Sequence, residues 1–119
     1  MKNIGIIGSR RRNTEKDYCI VEKELLENYE KGDTIISGGC PQGGDHFAEL
    51  IAKKHDIPIK IFYPDWGKYG RIAGFMRNTD IAKSSDVLIA CVASDRTGGT
   101  EDTIEKFKKF HDIGRVILC

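Results

Sequence analysis

A chain of 119 residues has room for one domain built around a single core. Lys and Arg number 19 against 18 Asp and Glu, so no strong global field draws the protein toward nucleic acid or a membrane surface. No apolar run approaches the roughly 20 residues that a bilayer-spanning helix needs, and no signal-peptide pattern precedes the first apolar stretch.

Asn3 to Gly8 is a short apolar run closed by Gly8-Ser9-Arg10-Arg11-Arg12-Asn13, and it predicts a buried first strand. Thr14 with Asp17 three residues on resembles a capping box, and the helix it opens carries Tyr18, Val21, Leu25 and Tyr29 along one stripe before ending near Gly32. Asp33 to Ser37 reads as the second strand. The glycine-rich loop Gly38-Gly39-Cys40-Pro41-Gln42-Gly43-Gly44 follows, then a helix from about Asp45 to His55 that buries Phe47, Leu50 and Ile51. Pro58 to Tyr63 predicts a third strand, with proline tolerable at its first residue. Pro64 to Arg71 is too irregular for an element and too aromatic for a linker. It leads into a helix over about 72–83 with Ile72, Phe75, Met76 and Thr79 on one side. Asp86 to Val92, the most continuously apolar segment, suits a central parallel strand. A loop over Ala93 to Gly99, a helix opened by Thr100 and packed through Ile104, Phe107 and His111, and a fifth strand from Gly114 to Cys119 complete the chain.

Strands alternating with helices predict an α/β fold over residues 1–119. We expect a single Rossmann-like, doubly wound, parallel five-stranded sheet in the order 3-2-1-4-5, with helices on both faces. Cys19, Cys40, Cys91 and Cys119 are scattered, with no C-x-x-C pair, and read as free thiols in a reducing cytoplasm. His46, His55 and His111 lack ligand-like spacing, so neither a metal site nor a cofactor is expected.

In such a sheet, ligands bind outside the carboxyl ends of the strands, near the point where strand order reverses. The sequence sends Gly8, Ser9 and Arg10 to that edge, with Arg11 and Arg12 behind them. It also sends Gly38, Gly39, Gly43, Gly44 and Asp45 from the glycine loop. Trp66 and Arg71, with Lys68 and Tyr69, follow the third strand; Arg77 and Asn78 lie on the third long helix; Gly98, Gly99 and Thr100 follow the fourth strand. Arginine matches two phosphate oxygens with a planar fork, each charge-assisted bond being worth roughly 1.5–3 kcal/mol. Glycines before a helix start expose free N–H groups to an anion. Two such starts flanking one crevice fit a nucleotide or sugar phosphate at near-micromolar affinity, about −8 kcal/mol. Several side chains have two readings: Asp45 as a helix N-cap or a partner for a ribose hydroxyl, Trp66 and Tyr69 as loop anchors or a stacking face. Thr100 caps its helix or bonds a phosphate, and only one of Arg10 to Arg12 is expected to face the ligand. Glu101 and Asp102 sit where the helix dipole favours acids and would oppose a phosphate.

Ser37-Gly38-Gly39 through Gly44-Asp45, then Asp65 to Arg71 with Ala73-Gly74, then Arg77-Asn78 and Gly99-Thr100, resemble the SLOG superfamily, the Rossmann-like group holding the Lonely Guy phosphoribohydrolases and DprA. The nearest likeness is to its YspA-like branch of small domains, and the block from Tyr63 to Asn78 is the most specific part. The resemblance implies a nucleotide-derived small molecule at the strand edge. It also implies Arg77 at the position of the enzymes' arginine, and the pairing of copies through an exposed apolar patch on the third long helix. The enzymes' catalytic glutamate falls on Thr103 here, and the glycine motif is shortened to Gly98-Gly99-Thr100, which leaves Glu101 or Asp102 as substitutes with a different aim. Three functions follow: a binding module that senses or sequesters a nucleotide-derived ligand, a phosphoribohydrolase using Arg77 and Glu101, and, least supported by a near-neutral chain, single-stranded DNA binding.

Overall fold

Ile4, Ile6 and Ile7 are all but closed to water, because the strand that carries them lies mid-sheet with helices over both faces. In the computed structural model, which describes residues 1–111 and 115–119, five parallel strands run in the order β3-β2-β1-β4-β5. They are β1 (Asn3–Gly8), β2 (Thr34–Ser37), β3 (Ile59–Ile61), β4 (Val87–Cys91) and β5 (Val116–Leu118). Gly114, with which the sequence reading begins the last strand, lies outside the described residues. The expected fold class and strand order are what the chain adopts. β1 pairs Ile4 with Ile35 on one side and with Val87 on the other.

Alternation along the strands divides the core in two. Ile4, Ile6, Ile35 and Ile89 point to the face covered by α1 (Glu15–Asn28) and α2 (Gly44–His55), where Val21, Leu25, Phe47 and Ile51 meet them. Ile7, Ile36, Leu88 and Ala90 point to the other face, where α4 (Ala73–Ser84) and α5 (Gly99–Phe110) bring Ile81, Ile104 and Phe107. Burying each large side chain is worth about 1.5–3 kcal/mol. The expected capping box forms: Asp17 N–H donates to Thr14 Oγ1 at 3.1 Å and Thr14 N–H to Asp17 Oδ2 at 3.2 Å. His111 ends α5 with its ring stacked on Phe107, centroids 4.5 Å apart.

Two expectations about these elements need correction. Leu50 is exposed, because the buried arc of α2 is centred between Ala48 and Ile51 and leaves it beyond the edge. The stretch from Pro64 to Arg71 is ordered: Asp65 caps α3 (Trp66–Tyr69), accepting from Lys68 N–H at 3.1 Å, and a 3₁₀ turn (Gly70–Ile72) runs straight into α4. One turn holding Gly67 and Gly70 is too short to show a helical period. The stripe of Ile72, Phe75 and Met76 faces outward, and α4 packs through Ala73, Asn78, Ile81 and Ala82. Small residues and a hydrogen-bonded asparagine let that side approach the sheet, leaving an apolar face outside with Tyr63 and Trp66. Among the described residues the four cysteines form no disulfide. No helix is long and apolar enough to cross a membrane.

Candidate functional site

Strand order reverses between β1 and β4, and a cavity of about 320 Å³ opens at their carboxyl ends. The loop after β1 lines it with Gly8, Ser9, Arg10 and Arg11, and α4 contributes Arg77 and Asn78. The turn into α5 adds Thr97, Gly98, Gly99 and Thr100, Cys40 comes from the β2–α2 connection and Asp45 from the first turn of α2, and Ile7 and Ile81 supply its apolar side chains.

Arg77 ties two of these segments together. Its Nη1 donates to the Gly38 carbonyl at 2.5 Å and its Nε to Asn78 Oδ1 at 3.0 Å. Asn78 in turn donates to the Gly99 carbonyl at 3.3 Å and to Asp102 Oδ2 at 3.1 Å, fixing the start of α5 against α4. Asp45 is not the N-cap of α2, which is Gly43; it lies inside the first turn, buried, and its Oδ2 accepts from Cys40 N–H at 3.1 Å. Burial pushes its carboxyl above the usual value, against the pull of the Cys40 N–H and the Arg77 charge.

The two glycine clusters do different work. In the first, the expected close approach is to the protein itself: a Cβ on Gly44 would stand 2.3 Å from the carbonyl carbon of Ile7, which is how tightly α2 packs on β1. Gly38 lies under Arg77 and Asp45, Gly39 under the Tyr63 ring, and Gly43 against the Ser9 carbonyl; none of these four lines the cavity. In the second, Gly98 has φ +101° and open space where a side chain would stand, and it leads α5 without any side-chain cap. Thr100 therefore does not cap the helix, and the free N–H groups of its first turn begin at the cavity.

Charges around the site are sorted by partner. Glu101 is held by Arg96 through two 2.9 Å bonds, and Asp102 takes Asn78 and Lys106, so neither acid lines the cavity. Thr103, at the position of the enzymes' glutamate, does line it but donates its hydroxyl to the Gly99 carbonyl at 3.2 Å. Asp45 is thus the one carboxylate among the described lining residues. Arg12 is spent on Asp17 and on the Val92 and Cys119 carbonyls. Arg11 forms a forked pair with Asp95 at 2.6 and 2.7 Å and reaches Thr97 at 3.1 Å, joining the loops after β1 and β4. Arg10, exposed at the rim, pairs with no described residue.

Of the residues expected to bind, Gly8, Ser9, Arg10, Asp45, Arg77, Asn78, Gly98, Gly99 and Thr100 meet at one cavity. The four loop glycines, Trp66 and Arg71 lie outside its lining, Trp66 packing over Gly74. Sequence reasoning carried Cys40 and Thr97 to this edge within their loops without naming them as binding residues, and it missed Thr103 in the lining and the Arg11–Asp95 link, whose partners are 84 residues apart and leave no local signal. Among the described residues no group of three or more His, Cys, Asp or Glu side chains is placed to hold a metal ion. Comparison with known proteins found no matching family model, no similar curated protein and no similar solved structure.

Proposed function

We propose that this protein binds the phosphate-bearing end of a nucleotide or nucleotide-derived ligand at the carboxyl edge of its sheet, as a cytoplasmic sensing or sequestering module of the SLOG type. The observation that carries this reading is the meeting of Arg10, Arg77 and the uncapped, glycine-opened start of α5 at one cavity from which the acids Glu101 and Asp102 are held away. An incoming phosphate would gain charge-assisted hydrogen bonds of roughly 1.5–3 kcal/mol each and about 0.3–1 kcal/mol from the helix dipole. Lining the same cavity, the Asp45 carboxylate offers an acceptor to a sugar hydroxyl.

Binding is favoured over glycosidic cleavage because Glu101 is engaged by Arg96 outside the cavity and the Thr103 hydroxyl is engaged by its own helix. Thermal-shift titration with AMP and other nucleoside monophosphates tests the reading: at 100 times its dissociation constant a ligand should stabilise the fold by about 2.7 kcal/mol. No shift with any monophosphate at millimolar concentration refutes it. Release of free base from AMP, abolished by Arg77→Ala, would establish the hydrolase instead. A retarded DNA band whose affinity falls steeply with salt would establish the nucleic-acid reading.

A further inference from the structure

The cavity is furnished unevenly for the parts of a nucleotide. A base is held by stacking on flat aromatic or guanidinium faces and by apolar contact, yet no aromatic ring lines the cavity and its apolar side chains are Ile7 and Ile81. The exposed rings of Tyr63 and Trp66 stand outside its lining, Tyr63 against Gly39 and Trp66 against Gly74. The Arg77 guanidinium is pinned by its bonds to Gly38 and Asn78. By contrast, groups that recognise a phosphorylated sugar are present. Arg10 and the α5 start are open to a phosphate, while Asp45 and Thr100 offer oxygens to hydroxyl groups. At about 320 Å³ the cavity is at the small end of those that enclose an organic ligand.

Resting on the phosphate-binding reading above, we infer that the site recognises the pentose phosphate and leaves the base unread. Its ligand class is then pentose 5-phosphates, free or carrying any base, with the base projecting from the cavity mouth. Asp45 is the residue that tells a sugar phosphate from phosphate alone.

Calorimetric titration of the full chain with ribose 5-phosphate, AMP, CMP and inorganic phosphate tests this. Ribose 5-phosphate, AMP and CMP should bind within about fivefold of one another, and inorganic phosphate more than about fivefold more weakly. Asp45→Asn should weaken ribose 5-phosphate by about tenfold while leaving inorganic phosphate unchanged, and Trp66→Ala should alter none of the four. A monophosphate binding more than about fivefold tighter than ribose 5-phosphate, or losing affinity selectively in Trp66→Ala, means the base is read and overturns the inference. Inorganic phosphate binding as tightly as ribose 5-phosphate overturns it from the other side. If neither AMP nor ribose 5-phosphate binds, the phosphate-site reading fails and takes this one with it. The ligand series on the unmodified chain decides these outcomes even if Asp45→Asn does not fold.

Discussion

Replacing Gly44 with alanine should be among the most damaging single-methyl additions this fold can receive. The new Cβ would lie 2.3 Å from the Ile7 carbonyl carbon and 2.4 Å from the Gly8 nitrogen, where carbon atoms normally keep about 3.5–4 Å. β1 is hydrogen-bonded to a strand on each side, so it cannot retreat, and α2 has to move. That shift of more than an ångström pulls Phe47, Ala48 and Ile51 away from the strands they cover. Losing part of burial worth about 1.5–3 kcal/mol per large side chain, added to the strain of overpacking, gives a destabilisation of about 3 kcal/mol. A domain of 119 residues has an unfolding entropy of about 0.25 kcal/mol/K, so the midpoint should fall by about 12 °C in a calorimetric or circular-dichroism melt. The same chemical change at Gly67 is the control: it is exposed in α3 with nothing nearer than 3.7 Å, and alanine there should raise the midpoint by about 2–4 °C. A Gly44→Ala midpoint within about 4 °C of the parent would refute the view that the first glycine cluster serves packing.

Ser85→Ala should stabilise by about 1 kcal/mol in urea unfolding, since the Ser85 hydroxyl is fully buried and finds no hydrogen-bond partner among the described residues. Acid should weaken the fold through two carboxylates. Bonds from His55 and then Lys54 hold Glu22 at about 2, and Asp33 also sits at about 2, its burial outweighed by Lys2 and the Lys2 and Glu30 N–H groups. Both are depressed below their unfolded value, so their contribution is complete above about pH 4.5 and drains away as pH falls toward 2. Urea midpoints measured down that range should decline, and Asp33→Asn should flatten the decline. Arg77→Ala, which removes a cavity charge and frees the Gly38 carbonyl, should weaken AMP binding by about ten- to a hundredfold in calorimetric titration, and unchanged affinity would remove Arg77 from the site. Gly98→Ala should cost about 1–2 kcal/mol from its φ of +101° alone, with no steric collision to add to it.

The alternation and length of the apolar runs determined the five strands, their helical crossovers and the sheet order, because a right-handed, doubly wound connection leaves few other arrangements. The Thr14–Asp17 box was legible for the same reason, being a local signal three residues long. Local pattern also carried Arg77 and Asn78 to the edge where the cavity opens, since the strand ends define it.

Only the tertiary structure decided which way things face and what each charge meets. Periodicity locates a stripe such as Ile72, Phe75 and Met76 but does not say whether sheet or solvent lies opposite it. Glycine loops before α2 and α5 look alike in sequence, yet the approach of β1 fills the space around Gly44 and leaves Gly98 bare. Whether Glu101, Arg11 or Arg12 is available to a ligand depends on partners brought together by folding, in the case of Arg11 and Arg12 from the far end of the chain. Pairing over such distances is set by the summed packing of the whole domain, which no local stretch of residues encodes.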